Sequence, residues 1–89
     1  MADKTFQCRL VTPQGKLLDA QASYANVPAH DGYIGFQAHR APIVFKLGKG
    51  ELRVEVAGGD KTFKIAEGFG QMVENRLTIL TTKADAGKA

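Results

Sequence analysis

The segment Glu51-Leu52-Arg53-Val54-Glu55-Val56 alternates charged and apolar residues one by one. Successive side chains of a strand point to opposite faces, so this pattern makes a half-buried strand. The same period recurs in Phe6-Gln7-Cys8-Arg9-Leu10, in Lys61-Thr62-Phe63-Lys64-Ile65 and in Arg76-Leu77-Thr78-Ile79. The best helical spacing, Lys16 to Ala22, covers only about two turns, too few for a helix to stand alone. Turn residues separate the alternating runs. Thr12-Pro13-Gln14-Gly15 places Pro and Gly where a type I turn takes them. Gly58-Gly59 fits a tight hairpin that needs positive φ, and Glu74-Asn75 fits another. Gly48-Lys49-Gly50 breaks the chain before the Leu52 strand. Pro28 and Pro42 are expected at edges or in loops, because neither donates to a ladder. The spacing predicts an all-β fold: a flattened antiparallel β-sandwich of about eight to ten short strands.

At 89 residues the chain has room for one domain. We expect it to span 1–82, with 83–89 a flexible tail. Apolar residues make up 44% of the chain, enough to exclude a disordered segment. No window approaches the roughly 18 apolar residues of a spanning helix. The net charge is +3 and the basic residues are scattered. Such a distribution gives little support to nucleic-acid or lipid binding.

Chemistry-bearing patterns are sparse. His30-Asp31 and His39 lack the usual metal-ligand spacing. Cys8 alternates onto the apolar side of its strand, as a small buried hydrophobe does. Ser23 has no nucleophile-elbow context. Gly68-Phe69-Gly70 is followed by Val73 where a dinucleotide fingerprint has its third glycine. No catalytic, cofactor-binding or metal-binding residues are expected. Glu67-Gly68-Phe69-Gly70-Gln71 resembles the RNA-stacking strand of cold-shock domains, but carries Glu67 for the basic residue and Gln71 for the second aromatic. A small basic β-barrel binding single-stranded nucleic acid is therefore the alternative reading.

The segment from Asp31 to Val44 holds two glycines three apart, Gly32 and Gly35, then Arg40-Ala41-Pro42. It reads as a rigid rim loop carrying Tyr33, His39 and Arg40. Loops on β scaffolds commonly carry function.

Several pieces now stand in order: Val11-Thr12-Pro13-Gln14-Gly15; Gly32-Tyr33-Ile34-Gly35-Phe36 running to Ala41-Pro42; Leu47-Gly48-Lys49-Gly50-Glu51-Leu52; Phe63-Lys64-Ile65-Ala66-Glu67-Gly68-Phe69; and Asn75-Arg76-Leu77-Thr78-Ile79-Leu80. Together, over residues 5 to 82, they resemble the N-terminal β-sandwich of the F-type ATP synthase epsilon subunit family, called delta in mitochondria. The resemblance implies a non-catalytic rotor part that binds no cofactor. It would fasten the gamma subunit to the membrane c-ring and couple ion translocation to ATP synthesis. It implies a peripheral location on the cytoplasmic side of a bacterial inner membrane, no nucleic-acid partner and no obligate homo-oligomer. The family's ring-facing loop maps to Asp31, Tyr33, Gln37, His39 and Arg40, and the gamma-facing strip to Thr12, Leu18, Ala41, Val44 and Phe45. Tyr33 stands where an acidic residue is frequent, and Arg40 replaces the family's His of His-Ala-Pro. The family's C-terminal helical hairpin has no counterpart in these residues, so inhibition of ATP hydrolysis by an extended helix is not expected.

Overall fold

The computed structural model describes residues 4–86, and every regular element among them is a strand. In chain order they are β1 (Phe6–Thr12), β2 (Gly15–Ala29), β3 (Gly32–Phe36), β4 (Ile43–Lys46), β5 (Gly50–Val56), β6 (Gly59–Ile65), β7 (Gly68–Val73), β8 (Arg76–Thr81) and β9 (Ala84–Ala86). Hydrogen bonding connects them in the order β4-β7-β8-β1-β2-β5-β6-β9, with β3 added on β2.

One long strand turns this path into a sandwich. The first half of β2 pairs with β1, from Gly15 to Ala22, and the second half pairs with β5 and β3. The β2–β5 register shifts between Ala22 and Tyr24, and such a bulge bends and twists a strand. One layer is thus β4-β7-β8-β1 with the start of β2; the other is β3, the end of β2, β5, β6 and β9. The molecule measures 37 × 27 × 22 Å, which is flattened.

The alternation fills the space between the layers. Phe6, Cys8 and Leu10 of β1, Leu77 and Ile79 of β8 and Met72 of β7 meet Val27 of β2, Phe36 of β3, Leu52 and Val54 of β5 and Phe63 and Ile65 of β6. Each large side chain removed from water contributes about 1.5–3 kcal/mol.

The Glu74-Asn75 turn falls where the sequence puts it, whereas the hairpin expected at Gly58-Gly59 turns one residue earlier, because Gly59 already pairs in β6. Val56 pairs with Gly59 across Ala57-Gly58, and Val73 pairs with Arg76 across Glu74-Asn75. Glu74 and Asn75 both have positive φ, 50° and 62°, the backbone of a primed hairpin turn.

Three expectations change. The sandwich is mixed rather than antiparallel, because β1 and β8 run parallel. Pro28 is fully buried inside β2. Its missing N–H is tolerated there because the β2–β5 register ends at Asn26, and its carbonyl still accepts from Gly48 N at 2.9 Å. Residues expected in a tail from Lys83 include β9, which pairs with Phe63, Lys64 and Ile65 of β6; residues 87–89 lie outside the described part. Small Ala84 packs against the core, a signal too faint to read from an alternating pattern of Ala and Asp.

Candidate docking site

The polar candidates share one sheet edge. β3 pairs only with β2, so its other side is free of ladder partners among the described strands. Asp31 lies in the turn before it, and Tyr33 is its second residue, 54% exposed. Gln37, His39 and Arg40 follow its far end, all exposed. Only Ile34, Gly35 and Phe36 lie between Tyr33 and Gln37, a span of about 13 Å at the usual rise. The expected single rim loop is therefore a polar edge with two ends, because Gly32–Phe36 pairs as a strand.

Each end is fixed differently. The Tyr33 hydroxyl accepts from Glu51 N at 3.1 Å, which lays the ring across Gly50. Arg40 reaches back along the loop: its guanidinium lies 5.0 Å from the Phe36 ring centroid and donates to Gly35 O at 3.2 Å. Phe36 in turn stacks on Phe45 at 5.4 Å. The Phe45 ring occupies the space above Gly70, where a Cβ would collide with it.

The expected apolar strip is shifted. Thr12 is buried, and its hydroxyl accepts from Gln14 N and donates to Gly15 O within the β1–β2 turn. Leu18 is in the core. Phe45 faces inward and packs against the core. Ala41 and Val44 are exposed, Val44 at 69%. Leu18 is buried on the inner face of β2 and Phe45 is half-buried on the inner face of β4, so neither belongs to an exposed apolar strip.

Other apolar residues occupy the outer face instead. Phe69 pairs with Leu80 across β7 and β8, and Leu80 pairs with Val11 across β8 and β1. Paired residues project to the same side, so these three form a row. Phe69 is 59% and Leu80 51% exposed. Val44 lies on the same outer face, and Lys46 beside it is paired with Phe69. Val11, Phe69 and Leu80 border, with Pro13, a shallow hollow of about 350 Å³. The opposite outer face is charged: Arg53 bridges Glu55 at 3.1 Å and Asp60 at 2.9 Å. The sequence did carry this signal. Leu77 and Ile79 face inward, so Leu80 breaks the alternation outward. Phe69 was masked because glycine fills the inward position next to it.

The described cysteine and histidines stand apart from one another in character. Burial, with a smaller contribution from nearby Asp19, pushes the Cys8 thiol up to about 12, which keeps it protonated and inert. Among the described residues no three His, Cys, Asp or Glu side chains converge on a metal-sized site. Phe69 has no second aromatic among its cross-strand partners Leu80 and Lys46, whereas base stacking uses aromatics in series. The Gly-Phe-Gly segment has a packing reason instead. A Cβ at Gly68 would collide with the Leu80 carbonyl, and one at Gly70 would collide with Phe45.

One outer face of the sandwich thus carries an apolar row beside the Arg9–Asp19–Lys16 ion pairs, the β3 edge is polar, and the opposite face carries the Arg53 network. Comparison with known proteins names the family. A family described as the ATP synthase delta/epsilon chain β-sandwich domain matches residues 5–87, and the chain belongs to that family. It is 34% identical over 80 residues to the ATP synthase epsilon chain of Rhodopirellula baltica, covering 90% of this chain and 62% of the relative. With the epsilon chain of Pelotomaculum thermopropionicum it is 33% identical over 87 residues, covering 96% and 63%. The chain thus spans less than two thirds of the length of these relatives. The fold also matches a chain of the Euglena gracilis mitochondrial ATP synthase OSCP/F1/c-ring structure, with a TM-score of 0.84, 21% identity, and 97% of this chain and 56% of that one covered. A chain of the central stalk and c-ring structure from Tetrahymena thermophila gives 0.73 at 17% identity, covering 88% and 63%.

Proposed function

We propose that this chain is a non-catalytic rotor subunit of an F-type ATP synthase, clamping the gamma shaft to the c-ring. Its role is mechanical: it lets torque pass between ion translocation and ATP synthesis. It works at the membrane surface, on the cytoplasmic side of a bacterial inner membrane. Family membership supports this reading, and so do relatives named as epsilon chains. The observation that carries it is the row Val11, Leu80 and Phe69 with Val44 beside it, which groups three of the five exposed large hydrophobics on one outer face. Such a patch on a small domain marks a partner site. We assign it to the shaft, because a contact that must not slip is dry and well packed at its centre. The polar β3 edge, with Asp31, Tyr33, Gln37, His39 and Arg40, is assigned to the polar loops of the ring.

The test uses Phe69→Asp, which faces Lys46 on its other side, combined with Leu80→Thr, so that no two like charges are paired across the strands. Both side chains are outside the core, so thermal unfolding is expected to stay close to wild type. Affinity for purified gamma subunit is expected to fall about tenfold or more. Lys64→Asp, on the charged side, serves as the control and leaves affinity unchanged. Full affinity in the double variant places the shaft contact elsewhere.

A further inference from the structure

Two turns far apart in sequence are joined by one side chain. Asn75 accepts the His39 backbone N–H on Oδ1 at 2.7 Å and donates through Nδ2 to Thr5 O at 2.9 Å. Its own carbonyl accepts Gln7 N at 3.1 Å. One residue thereby binds the 37–42 loop, the β7–β8 turn and the start of β1. His39 has φ 64° and is not glycine. A residue with a Cβ is strained in that conformation and keeps it only where its surroundings hold it. The short bond from Asn75 is such a hold, and Arg40 over Phe36 anchors the next residue.

We propose that Asn75 is a positioning residue: its carboxamide ties His39 to β1, so that the exposed Gln37–Arg40 loop has one shape before a partner arrives. The proposal rests on the ring-facing assignment of that loop. Ordering a loop in advance removes an entropic cost from binding. A simpler role for Asn75 is to occupy the left-handed region at φ 62°, which Asn tolerates better than most residues. Glycine separates the two roles, since it adopts that backbone freely and has no carboxamide.

The experiment compares the full chain with Asn75→Gly and Asn75→Asp. Amide hydrogen exchange is read at His39, at Gln7 and in the core. Affinity is read for gamma–c-ring rotor complex stripped of this subunit. In Asn75→Gly, His39 exchange is expected to rise about tenfold, while core amides are unchanged and affinity falls several-fold. Asn75→Asp keeps an acceptor for His39, so its protection is expected to recover in part. Unchanged His39 exchange in Asn75→Gly overturns the clip. Faster exchange with undiminished affinity overturns its part in docking. A wild-type chain that ignores the rotor complex overturns the assigned function, while exchange still decides the clip.

Discussion

Cys8 shows how a single position couples burial to pH. Its strand places it between Phe6 and Leu10, and all three are fully buried. The thiol is raised from 9.0 to about 12, with desolvation the leading cause. The folded state therefore holds its proton where the unfolded chain has released it. This contribution is complete below about pH 9 and declines as pH rises from there toward 12, with a limiting slope of roughly 1.4 kcal/mol per pH unit. Urea denaturation at increasing alkaline pH is expected to show that decline, and Cys8→Ala to flatten it. Equal slopes in the two proteins remove Cys8 as its source. The inward place of Cys8 was legible from period two. The burial of Thr12 was not, because a turn threonine and a surface threonine look alike until the hydroxyl's partners are known.

At the scale of elements, β4 and β7 illustrate packing that sequence pattern conceals. Gly70 gives up a side chain so that the Phe45 ring can lie over it, and Phe45 supports Phe36 and, through it, Arg40. Gly70→Ala is expected to displace the ring and destabilise the domain by about 1–3 kcal/mol. The check is a lower urea midpoint with an unchanged m-value; a midpoint equal to wild type contradicts this packing. Turns were readable where Gly58, Glu74 and Asn75 act locally through positive φ, whereas Gly48 makes room for the Ala29 backbone about twenty residues away. The parallel pairing of β1 with β8 was not readable, since it joins segments about 70 residues apart and leaves no mark on either. The Asn75 contact with His39 is hidden for the same reason, although both turns are individually recognisable.

Considered whole, the molecule is a flat wedge whose surfaces differ in kind. One broad face has an apolar row, the other a network around Arg53, and the β3 edge carries polar side chains at both ends. The alternating strands fix the all-β architecture before any coordinates are known. They do not fix which outward residues form a continuous patch, because that depends on register between strands distant in sequence. A stiff two-layer body suits a spacer that must transmit torque without yielding. The most direct measurement is purification of the tagged full chain from native membranes, followed by identification of what stays bound after a high-salt wash. Gamma subunit is expected to remain, since the contact assigned to it is apolar and resists salt, and the c-ring, assigned to the polar β3 edge, to remain when the wash is at low salt. A chain recovered without them under these washes, or carrying RNA that salt removes, contradicts the account.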